Sequence, residues 1–107
     1  MIKPDISERQ AKIVYLGIGT NLGERTKNIE NAKSRLIKKN IQILKSSSYY
    51  ETLSWPNPAF PKFYNIVLKI KTSLKELDLL NTCKNIEKSL GRIESPKNAP
   101  RVCDIDI

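Results

Sequence analysis

Two stretches of helical periodicity set among four short β-branched runs, in the order β-α-β-β-α-β, predict an α+β fold. That order is the split βαβ of a ferredoxin-like sandwich, an antiparallel sheet with two helices on one face. Length agrees, since 107 residues fit one domain and not two. So does composition: 39% apolar and 28% charged residues suit a packed core under a solvated surface.

Residues 1–11 are polar, contain Pro4 and follow no period, which predicts a loose arm ahead of a core over 12–107. Ile13-Val-Tyr-Leu-Gly-Ile18 is short, apolar and β-branched, as a buried strand should be. Gly19-Thr-Asn-Leu-Gly23 supplies the turn that ends it. Ile29, Ala32, Leu36 and Ile37 then recur at helical spacing, and Asn40 is the expected stop. Ile41 to Thr52 reads as a second strand. Three prolines between Leu53 and Pro61 exclude regular structure there.

In the third strand Tyr64, Ile66, Leu68 and Ile70 alternate with Asn65, Val67, Lys69 and Lys71. One face is apolar and the other is open to water or ligand. Ser73-Leu-Lys-Glu76 has capping-box spacing. Leu77, Leu80, Cys83, Ile86, Glu87 and Leu90 mark one helical face, and Gly91 is its stop. After an irregular loop from Arg92 to Pro100, Val102–Ile107 reads as the fourth strand, with Cys103, Ile105 and Ile107 directed to the core.

Composition narrows the chemistry. The chain has no histidine, which excludes Ser-His-Asp triads, histidine bases and His-ligated zinc. Cys83 and Cys103 lack metal-site spacing and read as two buried thiols. The net charge of +8 points to an anionic partner. No apolar run reaches the roughly 18–20 residues that span a bilayer, and the first residues lack the apolar stretch of a signal peptide. A soluble, cytoplasmic protein without a membrane partner is expected.

The most informative residues are Asp104-Ile-Asp106. Two carboxylates two positions apart on a strand share a face, with α-carbons about 6.5–7 Å apart. Their repulsion is relieved by a divalent cation, and oxygen ligands in this number suit Mg²⁺ with substrate phosphates. A solvated strand end is the alternative reading. Arg101, three residues before Asp104, and Arg92, after the helix stop, can hold phosphate; Arg92 can equally serve as a dipole partner. Glu87 sits beside the apolar stripe, as a functional group or as a residue at the stripe's edge. Gly17-x-Gly19-x-x-Leu22-Gly23 misses the dinucleotide fingerprint by one position, and no GxxxxGK[ST] occurs.

Leu16-Gly-Ile-Gly-Thr-Asn-Leu-Gly-Glu-Arg25, Ser48-Tyr-Tyr-Glu-Thr52, Phe63-Tyr-Asn65, Ile86-Glu-Lys-Ser-Leu-Gly-Arg92 and Pro100-Arg-Val-Cys-Asp-Ile-Asp-Ile107 occur in this order. Together they resemble the 6-hydroxymethyl-7,8-dihydropterin pyrophosphokinase family of folate biosynthesis. The resemblance implies transfer of pyrophosphate from ATP to the pterin hydroxymethyl group, with release of AMP. It implies that Asp104 and Asp106 bind two Mg²⁺ ions and that Arg92 and Arg101 contact phosphates as catalytic residues, with Glu87 on the nucleotide side. It implies pterin recognition by Asn65, stacking by Phe63, and a pocket wall from Thr52 and Leu53. Asn21 falls in the matching turn. Family members continue past the Asp pair, so the chain is expected to be C-terminally truncated after the fourth core strand. Self-association or a complementary C-terminal fragment is then an expected partner, and an inactive or split-gene remnant is the alternative.

An RNA-recognition motif shares the βαββαβ order and is often basic. It needs aromatics at alternating positions of the third strand, whereas Phe63 and Tyr64 are adjacent and point to opposite faces. No nucleic-acid partner is expected.

Overall fold

The computed structural model describes residues 11–91 and 100–107. The expected loose arm, except for Ala11, lies outside the described residues, as do Arg92 and the loop after it up to residue 99. Strand β1 spans Lys12–Thr20, helix α1 Arg25–Lys38, β2 Gln42–Ser46, β3 Tyr50–Thr52, β4 Phe63–Thr72, helix α2 Glu76–Ser89 and β5 Asp104–Asp106. All strand pairs are antiparallel. The sheet runs β2-β4-β1-β5, with β3 also on β4. This is the α+β ferredoxin-like arrangement that the element order predicts.

Strand alternation sorts the side chains. Leu16 and Ile18 of β1, Ile66, Leu68 and Ile70 of β4 and Ile105 of β5 face the helices and are buried. They meet Ile29, Ala32 and Leu36 from α1 and Leu79, Cys83 and Ile86 from α2 in one core. The opposite set, including Gly17, Gly19, Asn65, Val67, Asp104 and Asp106, lies on the sheet face that the described helices leave uncovered. Helix α1 ends as the sequence suggests. Asn40 takes φ 61°, its N–H donates to the Ile37 carbonyl, and Ile41 N–H donates to that of Leu36, the paired bonds of a left-handed helix stop. Gly91, at φ 99°, closes α2 in the same region of backbone space.

Five expectations are corrected. The strand expected over residues 41–52 is two strands, because from Ser46 opposite Leu68 to Tyr50 opposite Asn65 the chain takes one residue more than β4 and the ladder breaks at 47–49; a further bulge lies within β2, between Ile43 and Lys45. Ser47 bridges the break: its N–H donates to Val67 O at 2.9 Å, and its hydroxyl accepts from Val67 N at 2.8 Å. The capping box does not form. Helix α2 starts at Glu76 after Lys75, with no side-chain cap, so Ser73 and Glu76 are not the Ncap and N3 positions a box requires; ahead of it Thr72 Oγ1 accepts the Leu74 N–H.

The buried stripe of α2 is Leu79, Cys83, Ile86 and Glu87, because Leu79 lies about two turns before Ile86 whereas Leu77 lies about two and a half turns before it, on the opposite side, and is 68% exposed. Ile37 is likewise on the outer face of α1. At the end of the chain, β5 is shorter than expected. Cys103 and Ile105 are buried there, but Ile107 is exposed, beyond the last residue paired to β1.

Candidate functional site

The register brings the candidate residues into rows across the uncovered face. Asp104 pairs with Gly19, Gly19 with Asn65, and Asn65 with Tyr50. One row along, Asp106 pairs with Gly17. The two glycines put no side chain between the carboxylates and Asn65, and a trough results. It is a cleft of about 180 Å³ lined by Gly17, Gly19, Tyr50, Phe63, Asn65, Asp104 and Asp106, among others.

Gly19 is the tight point. A Cβ there would stand 3.0 Å from Asn65 Oδ1 and 3.3 Å from Phe63 Cδ1. At Gly17 nothing lies within 4 Å of the same construction. The Asn65 amide nitrogen donates to Tyr50 O at 3.2 Å and Thr52 Oγ1 at 3.0 Å. Pairing of β3 with β4 sets these acceptors in place. Both amide hydrogens are thereby used within the protein, and the oxygen is the polar atom turned over Gly19 toward the cleft.

Two residues, Asn21 of the β1–α1 turn and Arg25 at the start of α1, hold the loop between β3 and β4. Asn21 is 2% exposed. Its amide nitrogen donates to Ser54 Oγ and Pro61 O, both at 3.1 Å, and its Oδ1 accepts from Arg101 N at 2.7 Å. Asn21 N–H also donates to Arg101 O. One turn on, Arg25 donates to Glu51 Oε2 at 2.8 Å and Lys62 O at 3.0 Å while lying over the Tyr64 ring. The two residues grip both stems of the proline-rich loop between β3 and β4. The Arg25 guanidinium holds the Glu51 carboxyl below its usual range.

Glu87, on α2, is 5% exposed and accepts Ile105 N–H at 2.6 Å. Its neighbour Cys83 is a buried thiol pushed up to about 11, first by desolvation and then by the Glu87 charge.

The donor set can be weighed against an Mg²⁺ site. Among the described residues no group of three or more His, Cys, Asp or Glu could hold a metal. Asp104 and Asp106 bring two carboxylates to one cleft. One or two carboxylates, with phosphate and water oxygens for the rest, is how Mg²⁺ is commonly held. The residues present fit the ion.

The structure thus brings together four of the residues singled out from the sequence: Asp104, Asp106, Asn65 and Phe63. Thr52 touches the cleft through Asn65, and Leu53 begins the adjoining loop, 64% exposed. Arg101 is fixed by its backbone to Asn21. Arg92 lies outside the described residues. Sequence reasoning missed Tyr50, and it treated Gly17 and Gly19 only as a failed phosphate loop. Glycines two apart within an apolar strand were the available signal of a close approach.

Fold and site together define a class, a ferredoxin-like α+β domain with a two-carboxylate cleft across its uncovered sheet face. The chain belongs to the 7,8-dihydro-6-hydroxymethylpterin-pyrophosphokinase (HPPK) family, whose profile matches residues 15–107. It is 44% identical over 95 residues to the Folic acid synthesis protein FOL1 of Dictyostelium discoideum, covering 89% of this chain and 14% of that one. It is 44% identical over 94 residues to the 2-amino-4-hydroxy-6-hydroxymethyldihydropteridine pyrophosphokinase of Aquifex aeolicus, covering 88% of this chain and 58% of that one. The chain therefore spans less than two thirds of the length of both relatives.

Among solved structures, an unknown protein from Galdieria sulphuraria superposes with a TM-score of 0.57 at 15% identity, over 99% of this chain and 50% of that one. That likeness concerns the fold alone. Among the described residues no helix is long and apolar enough to cross a membrane.

Proposed function

We propose that the chain carries the pterin- and metal-binding half of a pyrophosphokinase site, acting on ATP and 6-hydroxymethyl-7,8-dihydropterin. The observation that carries this reading is the single cleft lined by Asp104, Asp106, Asn65 and Phe63. In this reading Phe63 stacks on the pterin ring. Asn65 Oδ1 accepts an N–H from the pterin's aminopyrimidinone edge, and the backbone of Thr52 and Leu53 closes the wall. Asp104 and Asp106 hold Mg²⁺, which when bound neutralises the triphosphate and favours in-line attack. Arg101 and Arg92 hold the phosphates.

The hydroxymethyl oxygen forms a bond to the β-phosphorus, and the bond from that phosphorus to the bridging oxygen of the α-phosphate breaks. AMP leaves with the bridging oxygen, and the hydroxyl proton passes to solvent. At about 180 Å³ the cleft holds one ring system, so the nucleotide extends beyond it, from β5 toward Arg101. A cytoplasmic setting suits the two buried thiols. A complementary segment or a second copy completing the nucleotide wall belongs to the same reading, and light scattering of the chain alone and mixed with such a segment tests it.

The main test is calorimetric titration with α,β-methylene-ATP in Mg²⁺ and in EDTA, beside AMP release with pterin. Affinity is expected to depend on Mg²⁺ and to fall at least tenfold, about 1.4 kcal/mol, in Asp104→Ala and Asp106→Ala. Asn65→Ala is expected to cost pterin binding roughly 1–3 kcal/mol and to leave the melting temperature nearly unchanged. Equal affinity in the two buffers excludes the metal reading.

A further inference from the structure

Strand β5 carries both cleft carboxylates on only three residues. One side of it is laddered to β1, through Gly17, Ile18 and Gly19. In an antiparallel pair the residues alternate between those that bond the partner strand and those whose N–H and C=O point away from it. Ile105, between the two aspartates, is of the second kind. Its N–H is turned from β1 and would be an orphan donor at a sheet edge. Glu87 meets it there at 2.6 Å, from a helix position that is 5% exposed.

A buried carboxylate is costly unless its oxygens are bonded, so its presence in the α2 stripe calls for an explanation. Leu79, Cys83 and Ile86 fill the rest of that stripe. The bond ties α2 to the peptide that separates the two aspartates. At the other end of the same segment, Asn21 Oδ1 holds Arg101 N–H. Arg101 to Asp106 is therefore pinned from two buried side chains on two different elements.

We infer that Glu87 is a positioning residue for the Asp104–Asp106 pair, setting the height and pitch of β5 by holding Ile105 N–H, and that it acts on the nucleotide through this strand and not by touching it. The inference rests on the metal-and-ATP reading of the cleft for its functional consequence, and on the bond alone for its structural part. A charge-assisted bond to a backbone N–H is among the stronger single hydrogen bonds available to a side chain. Its loss frees the outer edge of a strand too short to hold itself.

The test uses the full chain in three forms: parent, Glu87→Gln and Glu87→Ala. Glutamine keeps an acceptor oxygen at the same reach, and alanine removes it. Amide exchange at Ile105, read by NMR, is expected to speed up by roughly a hundredfold in Glu87→Ala and by less than tenfold in Glu87→Gln. Exchange at Leu68, in the centre of the sheet, is expected to stay near the parent value in both.

Mn²⁺ and α,β-methylene-ATP are then titrated as probes. Glu87→Ala is expected to weaken Mn²⁺-dependent binding about tenfold or more, Glu87→Gln by less than about threefold, and pterin binding in either by less than about twofold. Unchanged Ile105 exchange in Glu87→Ala overturns the inference. So does a Glu87→Gln form that keeps Ile105 protected yet loses the nucleotide, which would mean direct contact. If Glu87→Ala does not fold, the glutamine form decides between these outcomes. A parent that binds neither probe refutes the metal reading separately, and the exchange comparison still decides whether Glu87 holds the strand.

Discussion

The Asn65 carboxamide oxygen lies 3.0 Å from the point that a Cβ on Gly19 would occupy, across a β1–β4 pair that puts the two residues directly opposite. The closeness is what lets Asn65 and Phe63 lie flat over the sheet and leave a trough beside Asp104. Gly19 is kept by the space it does not fill.

Gly19→Ala is therefore expected to displace Asn65 and Phe63 and to weaken pterin binding by roughly tenfold or more, about 1.4 kcal/mol. Gly17→Ala, where nothing lies within 4 Å, is expected to leave pterin binding within about twofold. Neither position has a positive φ, so both variants should melt close to the parent. Fluorescence titration with the pterin, beside thermal melts, checks this. Equal pterin affinity in both variants would contradict the close-approach argument.

Asn21→Ala removes one buried amide and leaves Arg101 N–H, Ser54 Oγ and Pro61 O without it. Orphaned buried groups cost about 1–3 kcal/mol each, and relaxation of the loop recovers part of that. A loss of about 2 kcal/mol, roughly 10 °C in melting temperature, is expected. Ser54→Ala removes only one of the bonds and should cost less than half as much. Equal melting of the two variants would show that the loop is held elsewhere.

Tyr49 donates its hydroxyl proton to Glu30 and stacks on Tyr64 at 5.1 Å between ring centres. The bond to the Glu30 carboxylate, then burial, pushes Tyr49 up to about 12. A folded value above the unfolded one near 10 means that this contribution to stability is complete below about pH 10 and fades as pH rises toward 12. Ultraviolet titration of the four tyrosines is expected to show one late step that Tyr49→Phe removes. A single step near pH 10 in the parent would contradict it.

Glu51 behaves in the opposite sense, because the bond to Arg25 lowers its value. Its contribution is present above about pH 4.5 and lost as pH falls below that. An acid melt series should show a smaller acid loss in Glu51→Gln than in the parent.

Strand alternation made much of this legible. Ile66, Leu68 and Ile70 were separable from Asn65, Val67 and Lys69 before any coordinates, and that division alone sends Asn65 to the face that Asp104 and Asp106 share. Helix stops were legible too, since Asn40 and Gly91 are residues that tolerate the left-handed region. Helix starts were not. The Ser73 box has the right spacing, yet α2 begins at Glu76 without a side-chain cap, after a turn in which the Thr72 hydroxyl accepts Leu74 N–H. The stripe of α2 was misread at its first turn, where Leu79 and not Leu77 is in phase with Cys83 and Ile86. Long-range side-chain bonds were the least legible. Nothing near Asn21 in the sequence announces Arg101, eighty positions away, and nothing near Arg25 announces Lys62.

The order of strands in space also sets a timetable during synthesis. β1 lies between β4 and β5, so it lacks one ladder partner until residues 63–72 have been added and the other until 104–106 follow. At 5–20 residues per second the second wait lasts roughly 2–7 s after the first pairing becomes available. Asn21 waits 80 residues for Arg101, and Glu87 only 18 for Ile105. β1 and β4 are thus both made before β5, and the edge that carries Asp104 and Asp106 is the last part of the cleft to be synthesised.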